Sequence, residues 1–225
     1  MKERGIIMDT DEVRAILDGR KTQFRRKVSD KHIPFIEGMA ANFLDGRWDE
    51  RPFPYGKPGD RLWVREAFHI PGGYLDECLI DEIRSGISTL KGLGVTYRAD
   101  APRLKPCDGG WQPSSRMPRW ASRITLEITG VRVERVQKIT KQDAIAEGAR
   151  YFPDLPHSHP FHPLGLECRW SMRNPETTAE CLGTARHAFA NSWVKRYGKS
   201  QFDIRPWDEN PWVWVIEFKT VEVKS

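Results

Sequence analysis

The chain has 225 residues, a formal net charge of +5, a pI near 9.1, 39% apolar residues and 11% aromatic residues, with nine tryptophans. That composition excludes a wholly disordered chain and is enough to bury a sizeable core in one domain. The modest positive charge permits a polyanionic partner without requiring one. Cys78, Cys107, Cys168 and Cys181 form no C-x-x-C pair, no apolar run approaches a membrane span, and the charged opening MKERGIIMDTDEV lacks the pattern of a signal peptide. The expectation is a cytoplasmic protein with reduced thiols.

In chain order, DTDEVRAILDGRK reads as a short helix. Asp9 and Glu12 are spaced as a capping box, Val13, Ile16 and Leu17 share a face, and Gly19 is placed to end the helix in the left-handed conformation. Residues 29–58 are broken by prolines and read as an irregular insertion. KPGDRLWVREAF is a turn leading into a strand in which Leu62 and Val64 alternate with Arg61, Trp63 and Arg65. A Gly-rich stretch, 71–94, separates it from a second short strand in GVTYRAD.

The clearest strand begins at Ile124, with Ile124, Leu126 and Ile128 on one face, Thr125, Glu127 and Thr129 on the other, and Gly130 marking a bend or bulge. Val131, Val133 and Val136 lead to a helix that Thr140 caps and Gly148 ends. Proline-rich residues 150–175 read as an inserted loop. The segment from Pro175 to Gly198 reads as the longest helix, striped by Leu182, Ala185, Phe189, Trp193 and Tyr197. The final NPWVWVIEF is a strand that is apolar on both faces, as a barrel or sandwich core strand is. No repeat is present. Residues 1–225 are expected to form one α+β domain, a small mixed barrel decorated by helices and carrying insertions near 29–58, 71–94 and 150–175.

The chain has no G-x-S-x-G, Walker loop, G-x-G-x-x-G or H-E-x-x-H, so the common signatures of hydrolase elbows, nucleotide hydrolysis, dinucleotide redox and zinc proteases are missing. His157, His159, His162 and Cys168 have side chains suited to zinc, but their spacing in a proline-broken loop is no established ligand pattern; the expectation is no metal and no cofactor. Trp63, Trp111 and Trp120 lie near Arg65, Arg119 and Arg123, an interleaving that either stacks a base and holds its phosphate or belongs to the core. Trp207, Trp212 and Trp214 read as structural.

GRKTQFRR, residues 19–26, gathers Arg20, Lys21, Arg25 and Arg26 just past the first helix. Together with YGKPGDRLWVREAF, MPRWASRITLEITGVRVERVQKITKQDAIAEG and NPWVWVIEF, in that order, it resembles the ASCH domain family, and within it the phage- and prophage-encoded members. Gly19, Lys21 and Arg26 match the family pattern G-x-K-x-x-[TE]-x-R.

The resemblance implies a PUA-like β-barrel and a nucleoside or RNA partner. Some members of the family are ribonucleases, others bind RNA, and small bacterial members are amidohydrolases that remove the acetyl group from N4-acetylcytidine. Carried over residue by residue, it makes Lys21 the catalytic lysine and Glu147 the catalytic glutamate, within about one side-chain contact of each other at the mouth of the barrel. The family's threonine position is Phe24, which has no hydroxyl and adds bulk, so the implied hydrolysis is weakened. Thr22, two residues earlier, is the candidate substitute, because alternate residues of an extended segment point the same way. Phe24, Arg26, Trp63, Arg65, Arg119 and Trp120 are the expected substrate contacts. The competing readings are an RNA-binding module without catalysis, a ribonuclease, and, for Lys21 and Glu147, a structural ion pair joining helix to barrel.

Overall fold

The computed structural model describes residues 1–33, 36, 54–70, 95–101, 110–155, 168–176, 178–200 and 203–223. The chain folds as β1 (Glu3–Ile7), α1 (Thr10–Leu17), β2 (Gln23–Lys27), β3 (Arg61–Arg65), β4 (Phe68–His69), β5 (Thr96–Tyr97) and β6 (Ile124–Arg135). It continues through α2 (Lys141–Ala146), β7 (Arg150–Tyr151), β8 (Trp170–Ser171), α3 (Ala185–Tyr197), α4 (Arg205–Asp208) and β9 (Trp212–Val223). No helix among the described residues is long and apolar enough to cross a membrane.

The expected α+β class holds, and the main sheet has the strand order β1-β3-β6-β9-β2. β1 and β3 run parallel and every other pair is antiparallel. The barrel is a correction: among the described residues β1 and β2 are the free edges of the five-stranded sheet and no closed barrel forms. A side chain spans the gap between those edges instead, since Arg26 of β2 donates from Nη2 to the carbonyl of Ile7 at the end of β1 (3.0 Å).

Both faces of this sheet are covered, which is why β9 reads as apolar on both sides. Trp214, Ile216 and Phe218 join Phe24, Leu62, Val64, Leu126 and Ile128 in one core that also takes Val13 and Ile16 of α1. Val213 and Val215, on the opposite side, pack with Ala144, Ala185, Phe189 and Trp193 from α2 and α3. A strand with period-two side-chain alternation can serve two cores only if both residue sets are apolar. A smaller cluster of Phe68, Met117 and Ala121 holds Trp120 at its margin.

Local signals in the sequence set most boundaries. α1 starts at a complete capping box, with Asp9 accepting from the Glu12 amide (2.8 Å) and Glu12 accepting from the Asp9 amide (3.1 Å). It ends before Gly19, whose φ of +70° suits a residue without Cβ. The pairing of β6 with β9 shifts register between Ile128 and Gly130; a Cβ on Gly130 would lie 2.8 Å from Glu217 Oε2.

The long helix starts later than its pattern suggests: Thr184 caps it, accepting from the His187 amide. Residues 178–180 form a 3₁₀ turn, and Leu182 exchanges backbone hydrogen bonds with Trp170. Pairing with β8 captures the stretch that propensity assigned to the helix. Residues 34–35 and 37–53 of the expected insertion at 29–58, all of 71–94, and residues 156–167 of 150–175, His157, His159 and His162 among them, lie outside the described residues. Among the described residues no group of His, Cys, Asp and Glu is arranged to hold a metal.

Candidate functional site

The C-terminal turns of α1 and α2 face one another. Gly148, with φ +110°, comes so close to Ala15 that a Cβ there would lie 3.1 Å from Ala15 Cβ. The backbone amide of Lys21 bonds the Ala15 carbonyl (2.9 Å) and that of Thr22 bonds the Ala146 carbonyl (2.8 Å), so the chain leaving α1 is stitched to the end of α2. This juxtaposition, across 126 positions of sequence, places Lys21 against Glu147. Lys21 Nζ donates to Glu147 Oε2 and to the Glu147 carbonyl, both at 2.9 Å. A cation at the last carbonyl of a helix also favours the local dipole. Both side chains are almost fully buried, 1% and 3% exposed.

The pair belongs to a larger network. Lys21, Gln23 and Arg25 alternate along the extended segment and point to the same side, toward α2. Gln23 Nε2 reaches the backbone carbonyl and side chain of Asp143. Arg25 Nη1 donates to the second oxygen of Glu147 (3.0 Å), and its Nη2 pairs with Glu134 and stands 3.5 Å from Asp143. Glu147 therefore has a different cation on each carboxylate oxygen.

Glu12 gathers a second set of cations: Lys21 (3.6 Å), Arg26 (3.3 Å) and Arg196 of α3 (2.6 Å). Burial pushes its carboxyl up, but Arg26, Lys21 and Arg196 together override that and hold it well below the usual carboxylate range. Arg196 is pushed up from its ordinary value: burial opposes its charge, and Glu12 and Asp9 outweigh that.

These groups line a solvent-open cleft that leaves about 50 Å³ for the centres of water molecules, bounded by α1, the Lys21–Arg26 segment, Glu147, the turn at Met172–Arg173, and Phe189, Ser192, Trp193 and Arg196 of α3. That space takes a few waters or a small functional group and is far below the size of a ligand pocket. Four side-chain N–H groups are buried without a hydrogen-bond partner among the described residues: Arg14 Nη2 and the Nε groups of Arg25, Arg61 and Arg65. Of these residues only Arg25 lines the cleft.

The structure brings together Lys21, Arg26 and Glu147 of the expected site residues and separates the rest. Phe24 is a correction: it is completely buried in the core on the other side of the sheet, 5.9 Å from the rings of Tyr55 and Phe218, and does not line the cleft. Its neighbours alternate with it toward α2, so a strand that aims Lys21 and Arg25 into the cleft must aim Phe24 away. Thr22 is exposed and also outside the cleft.

Trp63 covers Gly5 of β1, where a Cβ would lie 2.8 Å from the indole, and the guanidiniums of Arg65 and Arg119 flank its ring at 5.4 and 5.8 Å. Arg119 is held by Glu3 through two bonds (2.8 and 2.9 Å), and Arg65 pairs with the Ser115 carbonyl. Trp63, Arg65 and Arg119 thus tie down the β1–β3 edge, with Trp120 in the satellite cluster beside it, and none of the four lines the cleft.

Arg25, Glu12, Glu134 and Arg196 are functional candidates that sequence reasoning missed. Arg25 was findable, as it shares the face of Lys21 by strand alternation. Glu12 reads fully as a cap partner, and Arg196 is 184 positions from Glu12, so only the tertiary fold joins them.

None of the comparisons with family models, curated proteins and solved structures yields a match. What the site can do chemically rests on its own geometry: a buried, hydrogen-bonded Lys21–Glu147 pair, further cations around it, and room for water in the cleft that they line.

Proposed function

We propose that this protein is a cytoplasmic amidohydrolase of the ASCH type that cleaves the amide of N4-acylated cytosine or cytidine. The observation that carries this reading is the buried Lys21–Glu147 pair, each member held by further partners, in a cleft that admits water. Its family motifs supply the substrate class.

With Phe24 in the core and Thr22 facing outward, a hydroxyl at the family position does not serve as nucleophile. Water takes that role. Glu147 accepts a proton from the water as its oxygen bonds to the acyl carbon. The negative charge gained by the carbonyl oxygen is offset by the cations that line the cleft, Lys21, Arg25 and Arg26. Lys21 gives a proton to the leaving amine as the C–N bond breaks, and the proton on Glu147 restores the lysine through their 2.9 Å hydrogen bond. Water and amide become carboxylic acid and amine, with no cofactor required by the balance.

The balance of charge around the cleft favours a small substrate over a nucleic-acid backbone. Asp9, Asp11, Glu12 and Glu147 stand among Lys21, Arg25, Arg26, Arg173 and Arg196, so the lining is not a basic groove. The test is to incubate the purified protein with N4-acetylcytidine and follow cytidine and acetate by chromatography. Turnover lost in Glu147→Gln and in Lys21→Met supports the proposal. No release of cytidine, combined with retention of a mixed RNA on the protein, overturns it in favour of a binding module.

A further inference from the structure

A second, likewise solvent-open pocket of about 290 Å³ adjoins the cleft, between β8, the segment Ala179–Leu182 and one face of α3. The two spaces share Met172, Arg173 and Ser192 as their common wall. Arg173 fixes that wall to α1 through its 3.2 Å ion pair with Asp11. α3 is split between two tasks by its own periodicity: Ala185, Phe189 and Trp193 pack into the core beneath the sheet, while Ala188, Asn191, Ser192 and Lys195, at i, i+3, i+4 and i+7, line the cavity.

From this we infer that the cavity is the chamber for the leaving half of the substrate, a planar heteroaromatic base, with the scissile amide passing Ser192 into the cleft. The inference rests on the hydrolase reading for its substrate and adds where that substrate is held and which residues select it.

Three observations support it. First, the cleft is too small for a base, whereas 290 Å³ is close to the lower end of the range for small-molecule sites. Second, the chamber combines apolar and hydrogen-bonding walls: Trp170, Met172 and Leu182 form one side, and Ala188, nearly fully buried, leaves the floor low. Third, the Asn191 amide and the Ser192 hydroxyl are half-buried and have no hydrogen-bond partner among the described residues. An amide offers a donor pair and an acceptor, which matches the mixed donor and acceptor edge of an aminopyrimidine, and the hydroxyl can do either. A site built to hydrogen-bond a substrate group discriminates strongly against analogues that lack it.

The experiment measures two quantities on each of four proteins: affinity for cytidine by calorimetry, and kcat and KM for N4-acetylcytidine. The proteins are the unmodified chain, Asn191→Leu, Ala188→Leu and Glu147→Gln, with thermal melting confirming that each is folded. Expected are a cytidine Kd and a KM raised at least tenfold in Asn191→Leu and Ala188→Leu, with kcat changed by less than threefold, and a Glu147→Gln protein that binds cytidine within threefold of normal while losing turnover.

If Asn191→Leu and Ala188→Leu both leave Kd and KM within twofold of normal, the chamber does not hold the base, whatever the turnover. Cytidine bound by the unmodified chain and lost in both chamber variants, without any turnover, sinks the hydrolase reading and leaves the chamber standing. An unmodified chain that binds no cytidine overturns the chamber as the base site.

Discussion

Replacing Glu147 by glutamine is the most informative single change, because the substitution keeps shape and removes charge where two cations converge. Oε2 accepts from Lys21 and Oε1 from Arg25, at 2.9 and 3.0 Å. A glutamine has one acceptor oxygen and one donor NH₂, so whichever cation faces the NH₂ meets a donor in place of an acceptor. Lys21 and Arg25 are 1% and 0% exposed, so bulk solvent does little to screen the mismatch.

Breaking a buried pair from one side costs about 3–5 kcal/mol, most of it from the stranded charge. Lys21→Met strands less charge, since Glu147 keeps Arg25, but leaves the Glu147 carbonyl without its Nζ donor; a loss of about 3 kcal/mol is expected, at the lower end of the same range. In the double variant the lysine no longer needs its partner, and the combined loss should fall short of the sum by about 1–3 kcal/mol, as for residues in direct contact. Urea unfolding followed by tryptophan fluorescence, at constant m, measures all four corners of the cycle. Strict additivity, or a loss below about 1 kcal/mol in Glu147→Gln, would refute the claim that this carboxylate holds the network together.

Three further outcomes are expected. Phe24→Thr should destabilise by about 3–5 kcal/mol, as large-to-small core changes at phenylalanine do, and should not raise kcat/KM for N4-acetylcytidine; a gain of tenfold would show that this position reaches the reacting group after all. Thr22→Ala should leave both stability, within about 0.5 kcal/mol by denaturation, and turnover unchanged, because the side chain is exposed. Asp143 is the pH-dependent element: burial pushes its carboxyl up, but hydrogen bonds from Thr140, the charge of Arg25 and a bond from Gln23 bring it down to about 2. A folded-state value below the ordinary aspartate value of about 3.9 stabilises the fold fully above that pH and less as pH falls toward 2. Asp143→Asn should therefore be less stable than the unmodified protein at pH 7, with the difference shrinking between about pH 4 and pH 2; a pH-independent difference in urea midpoints would contradict this assignment.

What the sequence determined by itself was local. Asp9 with Glu12, Gly19, Thr140 and Gly148 marked the ends of two helices because caps and left-handed glycines act within a turn of where they stand. Alternation marked β6, and the doubly apolar β9 announced a strand enclosed on both sides, because burial of a face is written in every second residue. Tertiary structure decided everything that depended on which elements meet. The beginning of the expected long helix became a partner of β8 because backbone pairing with Trp170 outweighed a weak helical stripe. The barrel stayed open at the β1–β2 seam, with Arg26 spanning it. The motif resemblance singled out Lys21 and Glu147, but only the packing of α1 against α2 through Ala15 and Gly148 brought them to 2.9 Å. The same strand register that aims Lys21 and Arg25 at α2 turns Phe24 into the opposite core, since neighbours on a strand face opposite ways. The motif carried the position of Phe24 but not the direction of its side chain, which depends on which face of β2 meets the helices.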